Sequence, residues 1–133
     1  MIIALTGASG FIGAEVAKHA AKHGHSVTAL VRSSSKREHI EPFVSSFVVG
    51  SHDDQTAISQ LLEHADVVIH DSFDWAAIKD GGIQSHLQSN LVGSINLLEA
   101  SNEKQFIYMS SIAVHHHMHD KWEGKIDSAH PTR

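Results

Sequence analysis

The chain has 133 residues, 41% of them hydrophobic, with a formal charge of −5 and no cysteine. That length is one domain's worth of polymer, able to bury roughly two-thirds of its unfolded surface. The interspersed charges give no basic stripe for nucleic acid and no polybasic patch for a membrane, and the lack of cysteine excludes a disulfide framework and a thiolate zinc site.

In chain order, "MIIALT" (1–6) is short, β-branched and apolar, and predicts a first strand. The segment 11–23 then carries apolar residues at helical spacing. "SVTALV" (26–31) predicts a second strand. The polar segment 33–41 predicts a loop with one helical turn, ended by Pro42. "FVSSFVV" (43–49), "DVVIH" (66–70) and "QFIYMS" (105–110) predict three further strands. Helices are expected over 54–64 and 83–101, the latter from Leu87, Leu91, Ile95 and Leu98. Alternating strands and helices with buried-looking strands predict an α/β fold, a doubly wound parallel sheet of five strands with helices on both faces. Residues 1–111 form that domain in this reading, and 112–133, without apolar periodicity, form a loop or tail. The first residues lack a basic leader, and no apolar run nears the roughly 20 residues a membrane span needs. A cytoplasmic location is therefore expected.

The first strand runs into "TGASGFIG" (6–13), which sets Gly7, Gly10 and Gly13 three apart. Gly7 suits the tight turn, Gly10 lets the backbone approach a ligand, and Gly13 lets the next helix lie against the sheet. Phe11, Ile12 and Gly13 open that helix, where first-turn N–H groups lack internal partners and bind anions at about 1.5–3 kcal/mol per hydrogen bond. Thr6 and Ser9 add hydroxyl donors. The candidate ligand is a dinucleotide pyrophosphate; the structural alternative is an ordinary glycine turn.

The dinucleotide's identity turns on the end of the second strand. An acidic residue about 20 positions past the glycines holds the ribose of NAD, whereas Arg suits the 2′-phosphate of NADP. Arg32 stands 19 positions after Gly13, with no carboxylate before Glu38. NADP is therefore preferred over NAD, with a solvated basic loop as the structural alternative.

"TGASGFIG" (6–13), "DVVIH" (66–70), "NLVGSINLLEAS" (90–101) and "FIYMSSIAV" (106–114) together resemble the extended short-chain dehydrogenase/reductase family, the NAD(P)-dependent epimerase, dehydratase and reductase branch. The resemblance spans residues 1 to about 114. It implies a Rossmann-type fold, a dinucleotide cofactor, and oxidation or reduction at a hydroxyl or carbonyl carbon of a small substrate such as a nucleotide sugar. It places the active-site serine at Ser111, where a hydroxyl orients a reacting oxygen. Asn90 matches a helix Asn close to the cofactor, with a helix cap or surface amide as its structural alternative. Gly93, which costs about 1 kcal/mol relative to Ala in a helix, reads as a close-packing point against the sheet.

The sequence also departs from the family pattern. After the third strand it has Gly50-Ser51-His52 in place of Gly-Asp, which leaves the adenine to Ser51, His52, backbone groups or Asp53. After the fourth strand, where relatives carry small residues, stand Asp71, Phe73, Asp74 and Trp75. His115 occupies a place where Tyr is common. The family's proton-transfer pair, a Tyr-x-x-x-Lys in which the cation lowers the Tyr pKa, is not found here. The lone tyrosine, Tyr108, falls in the fifth strand.

The resemblance therefore implies an N-terminal portion of an enzyme, inactive alone, with an uncovered sheet edge that favours self-association. A non-catalytic NADP-binding module is the alternative. The histidines of "HHHMH" (115–119) read as a loop with adventitious metal affinity rather than a metal centre, which needs fixed geometry.

Overall fold

In the computed structural model, which describes residues 1–111, the β-branched runs become strands β1 (Ile2–Thr6), β2 (Ser26–Val31), β3 (Ser46–Val49), β4 (Val67–His70) and β5 (Gln105–Tyr108). All pair in parallel in the order β3-β2-β1-β4-β5. β1 is central: Ile3 lies opposite Val27 and Val67, and Thr6 opposite Leu30 and His70. Such a strand has no solvent face, and Ile3, Ala4, Leu5 and Thr6 are all buried.

Side-chain alternation divides the core in two. Ile3, Leu5, Val27, Ala29 and Val31 meet Ala17 and Ala20 of α1 (Phe11–Lys22) and Ile40. On the other face, Ala4, Leu30 and Val68 meet Ala57, Ile58, Leu61 and Leu62 of α2 (Gln55–Leu62) and Leu97 of α4 (Gly93–Ala100). Asp54 caps α2, accepting from the N–H groups of Thr56 at 2.9 Å and Ala57 at 3.3 Å. The arrangement is the doubly wound Rossmann-type architecture expected from the sequence. Among the described residues, no helix is long and apolar enough to cross a membrane.

Three details differ from the sequence reading. Pro42 does not end a turn but sits inside a 3-10 turn, Glu41–Phe43, so β3 starts at Ser46. Proline's fixed φ and missing N–H suit the first turn of such an element. The helix expected over 83–101 begins earlier, as α3 (Trp75–His86), breaks at Gly82 with φ +70, passes through a π-helical segment Leu87–Val92, and ends as α4. The Leu87, Leu91, Ile95, Leu98 stripe lies roughly half exposed, while Leu97, off that stripe, is buried against the sheet. Gly93 packs against the loop after β3 rather than the sheet, since a Cβ there would sit 2.9 Å from the His52 ring. The tail expected over 112–133, with its histidines, lies outside the described residues.

Leu61 is 2% exposed within the second cluster. Leu61→Ala is expected to cost about 2–5 kcal/mol through lost transfer energy and a residual cavity. Urea unfolding measures this, and a loss below about 1 kcal/mol would show that α2 is not a principal cover of that face.

Candidate dinucleotide site

In a parallel sheet, loops leaving the carboxyl ends of two strands whose crossovers go opposite ways form a crevice, here between β1 and β4. Gly7 turns the chain out of β1 with φ +75, and a Cβ there would lie 2.5 Å from the Asp71 carbonyl oxygen, so the two loops touch backbone to backbone. Gly10 donates its N–H to the Gly7 carbonyl at 2.9 Å. A Cβ on Gly13 would collide with that same carbonyl. Residue 10 is the N-cap of α1 and, being glycine, offers no side-chain oxygen to the helix. The first-turn N–H groups receive no cap from the side chain of residue 10, the Gly13 N–H meets the Asp71 carboxyl, and Phe11 is 92% exposed. Ser9 lies in the same loop, partly exposed.

Thr6 departs from its expected role. Its side chain is fully buried, and its oxygen accepts from the N–H groups of Asp71 and Ser72, each at 3.2 Å. The hydroxyl proton then points to His70 Nδ1, 2.6 Å away. With Nδ1 accepting, His70 donates from Nε2 to Ser94 Oγ at 2.8 Å, and Ser94 donates on to the Asn90 carbonyl at 2.6 Å. Thr6 thus sets the loop after β4 and leaves no hydroxyl for a ligand.

His70 is 1% exposed, and burial, with the nearby His52 ring adding to it, lowers its pKa from 6.5 to about 4. It is a neutral link in a closed chain. His52, expected beside the adenine, is also buried; its Nε2 donates to the Ser89 carbonyl at 2.7 Å, and its Nδ1 lies 3.1 Å from the Ser72 hydroxyl. The two rings lie 5.4 Å apart. Each tethers the π-helical segment to the strand ends, and this segment is where the helix exposes carbonyls to side-chain donors.

Asn90 is in that segment and caps no helix. Its Oδ1 accepts from the Asp74 N–H at 2.6 Å, and its Nδ2 donates to the Asp74 carbonyl at 3.0 Å and lies 3.1 Å from His86 Nδ1. Asp74 in turn caps α3, accepting from Ala76 and Ala77, and its Oδ1 lies 3.5 Å from Arg32 Nη1. Arg32 therefore stands at the end of β2 as expected, but with a carboxylate beside it. Ser51, Asp53, Asp74, Asp80 and Ser89 line an open cavity of ≈ 480 Å³ next to this pair.

Asp71, at the crevice itself, has its carboxyl pushed above its ordinary value by burial, while the Gly13 N–H opposes that shift. Ser111 follows β5 and is exposed. The site the structure brings together comprises the glycine turn, the start of α1, Asp71, Ser72, Arg32 and Asp74. The sequence reading missed His70, Ser72 and Ser94; a His closing an otherwise aliphatic strand was the available signal.

The model of the NAD dependent epimerase/dehydratase family matches residues 3–132. The chain belongs to that family. A ketoreductase of Cercospora nicotianae is 35% identical over 95 residues, 71% of this chain and 26% of that protein. The UDP-glucose 4-epimerase of Thermotoga maritima, solved with UDP-glucose, is 25% identical with a TM-score of 0.73, over 86% of this chain and 39% of that one. The Thermus thermophilus UDP-glucose 4-epimerase in complex with NAD shares the fold at a TM-score of 0.80 and 23% identity, over 100% of this chain and 44% of that one. The chain spans about a third of the length of the curated relatives it matches.

The neutral His70 makes stability depend on pH. Its folded pKa lies below its unfolded one, so the unfolded chain binds more protons between about pH 6.5 and 4. The stabilisation is complete above 6.5 and declines as pH falls toward 4, by about 3 kcal/mol in all. The raised Asp71 carboxyl acts oppositely, losing stabilisation as pH rises, and cancels when wild type and His70→Gln are compared. Urea midpoints should fall more steeply with acid in the wild type; parallel declines would mean that His70 titrates normally.

Proposed function

We propose that residues 1–111 bind the dinucleotide of an NAD(P)-dependent epimerase, dehydratase or reductase, with NADP preferred, for chemistry at a hydroxyl or carbonyl carbon of a small substrate such as a nucleotide sugar. The observation that carries this reading is the α1 N-terminus, given no side-chain cap by Gly10 and set against a glycine turn whose Gly7 and Gly13 leave no room for a Cβ. Backbone N–H groups around Ile12 and Gly13 would hold the pyrophosphate, with Gly10 and Ser9 shaping the approach and Phe11 flanking it. When bound, the dinucleotide supplies a hydride acceptor or donor.

Each residue has a stated task in this reading. Arg32 meets the 2′-phosphate. Ser51, lining the adjoining cavity, serves the adenine side. Asn90, His52 and Thr6 hold the loops that frame the ligand, and Ser111 orients the reacting oxygen. The nucleotide sugar is supported by the Thermotoga maritima epimerase solved with UDP-glucose, and carbonyl reduction by the Cercospora nicotianae ketoreductase.

One observation favours a second reading, a non-catalytic NADP-binding module. The single tyrosine, Tyr108, is a strand residue whose ring lies tilted 5.5 Å from the His70 ring, with no Lys four positions on. These residues alone therefore furnish no Tyr-Lys proton-transfer pair. A reductase rate with NADPH and a carbonyl substrate, from the 133-residue chain itself, would decide against the module.

The test of the binding reading is Arg32→Asp. It is expected to weaken NADPH binding by about 10- to 100-fold, the worth of a charge-assisted hydrogen bond, and to change NADH binding little. Fluorescence titration of both cofactors measures this, and equal losses would remove Arg32 as the phosphate reader.

A further inference from the structure

Arg32 carries its own competitor. A guanidinium that reads a 2′-phosphate should stand open to it, yet Arg32 Nη1 lies 3.5 Å from Asp74 Oδ1. The partners are held unequally. Asp74 is fixed: its backbone N–H and carbonyl are both engaged by the Asn90 amide, its Oδ1 accepts from the Ala76 and Ala77 N–H groups, and its Oδ2 lies 3.5 Å from Ser89 Oγ. Its side chain is 26% exposed, against 61% for Arg32. The guanidinium is the partner able to move.

We propose that Asp74 is a specificity-determining residue, whose carboxylate occupies Arg32 in place of the 2′-phosphate and so disfavours NADP relative to NAD. This rests on the dinucleotide reading above and adds a residue to it. A phosphate arriving at Arg32 must either displace the carboxylate or share the cation with it. Sharing sets two anions side by side on one charge, and displacement leaves Asp74 unpaired at the cavity wall. An NAD ribose carries no such anion and meets neither cost. The preference for NADP that Arg32 alone would confer is thereby reduced.

The test is Asp74→Asn, titrated with NADPH and NADH on the full 133-residue chain. Asn caps helices as well as Asp does and retains the backbone contacts with Asn90, so α3 should keep its start. NADPH should bind about fivefold tighter, the upper worth of an exposed ion pair, and NADH within about twofold of the wild type. Asp74→Ser, another capping residue, should behave alike. In an Arg32→Gln background, Asp74→Asn should leave the NADPH/NADH ratio unaltered.

An unchanged ratio in both Asp74 variants, or equal tightening of the two cofactors, overturns the inference and leaves the dinucleotide reading standing. A shift that persists without Arg32 also overturns it, because repulsion alone would then be acting. Failure of wild type and every variant to bind either cofactor overturns the dinucleotide reading itself.

Discussion

The hydrogen bond between Thr6 and His70 organises the carboxyl edge of the sheet. It joins the last residues of the two strands that define the crevice, at 2.6 Å and out of contact with water. A buried hydroxyl and a buried imidazole each cost several kcal/mol if left unpaired, so the pair is stable only when both are satisfied throughout. The Thr6 oxygen achieves this by accepting from two backbone N–H groups of the β4 loop, and His70 by donating to Ser94. The loop carrying Asp71 and the helix carrying Asn90 are thus positioned from one point. Burial, with the nearby His52 ring adding to it, keeps the ring neutral to about pH 4, and protonation would also turn its accepting nitrogen into a donor facing a hydroxyl that already donates to it.

The same network reaches the π-helical segment through Ser94 and Asn90. A regular helix would retain the Ser89 and Asn90 carbonyls in its own ladder. The wider turns over Leu87–Val92 accompany a Ser89 carbonyl that accepts from His52 and an Asn90 carbonyl that accepts from Ser94. One histidine and one serine, His52 and Ser94, therefore each donate to a carbonyl of this segment. The Asn90 side chain is thereby presented to Asp74, and through Asp74 the end of β2 is connected to the end of β4.

Much of the fold was legible because its signals are local. Strands of four to six β-branched or apolar residues, and glycines that a Cβ would obstruct, are properties of short windows. What was not legible depends on pairs far apart in sequence. Thr6 and His70 are 64 residues apart, and nothing near "ALTG" indicates that the hydroxyl will be turned inward. His52 read as a ligand contact for want of any sign that Ser72 and Ser89 would enclose it. The stripe from Leu87 to Leu98 misled for another reason. The apolar stripe was taken as the core face, whereas Leu97, off that stripe, is the residue of α4 buried in the core. The acidic residues after β4 were visible as a departure from the family pattern, but only geometry shows which cation one of them meets.

That geometry bears on how a phosphate-binding surface is kept ordered without its ligand. Uncompensated positive potential at a helix start and an arginine would leave both regions poorly held. Here Asp71 faces the first and Asp74 the second. Asp71 is the more strained, since burial raises its pKa while a single backbone N–H opposes the shift. Asp74 is comfortable, capping α3 and meeting an exposed cation. A dinucleotide entering the crevice as proposed would therefore meet two resident anions, Asp71 where its pyrophosphate would lie and Asp74 where a 2′-phosphate would. A pyrophosphate at the first would repel the Asp71 carboxylate whichever dinucleotide carries it, whereas disturbing the second opposes only the phosphorylated one. In the proposed reading, cofactor choice would follow from Asp74 as much as from Arg32.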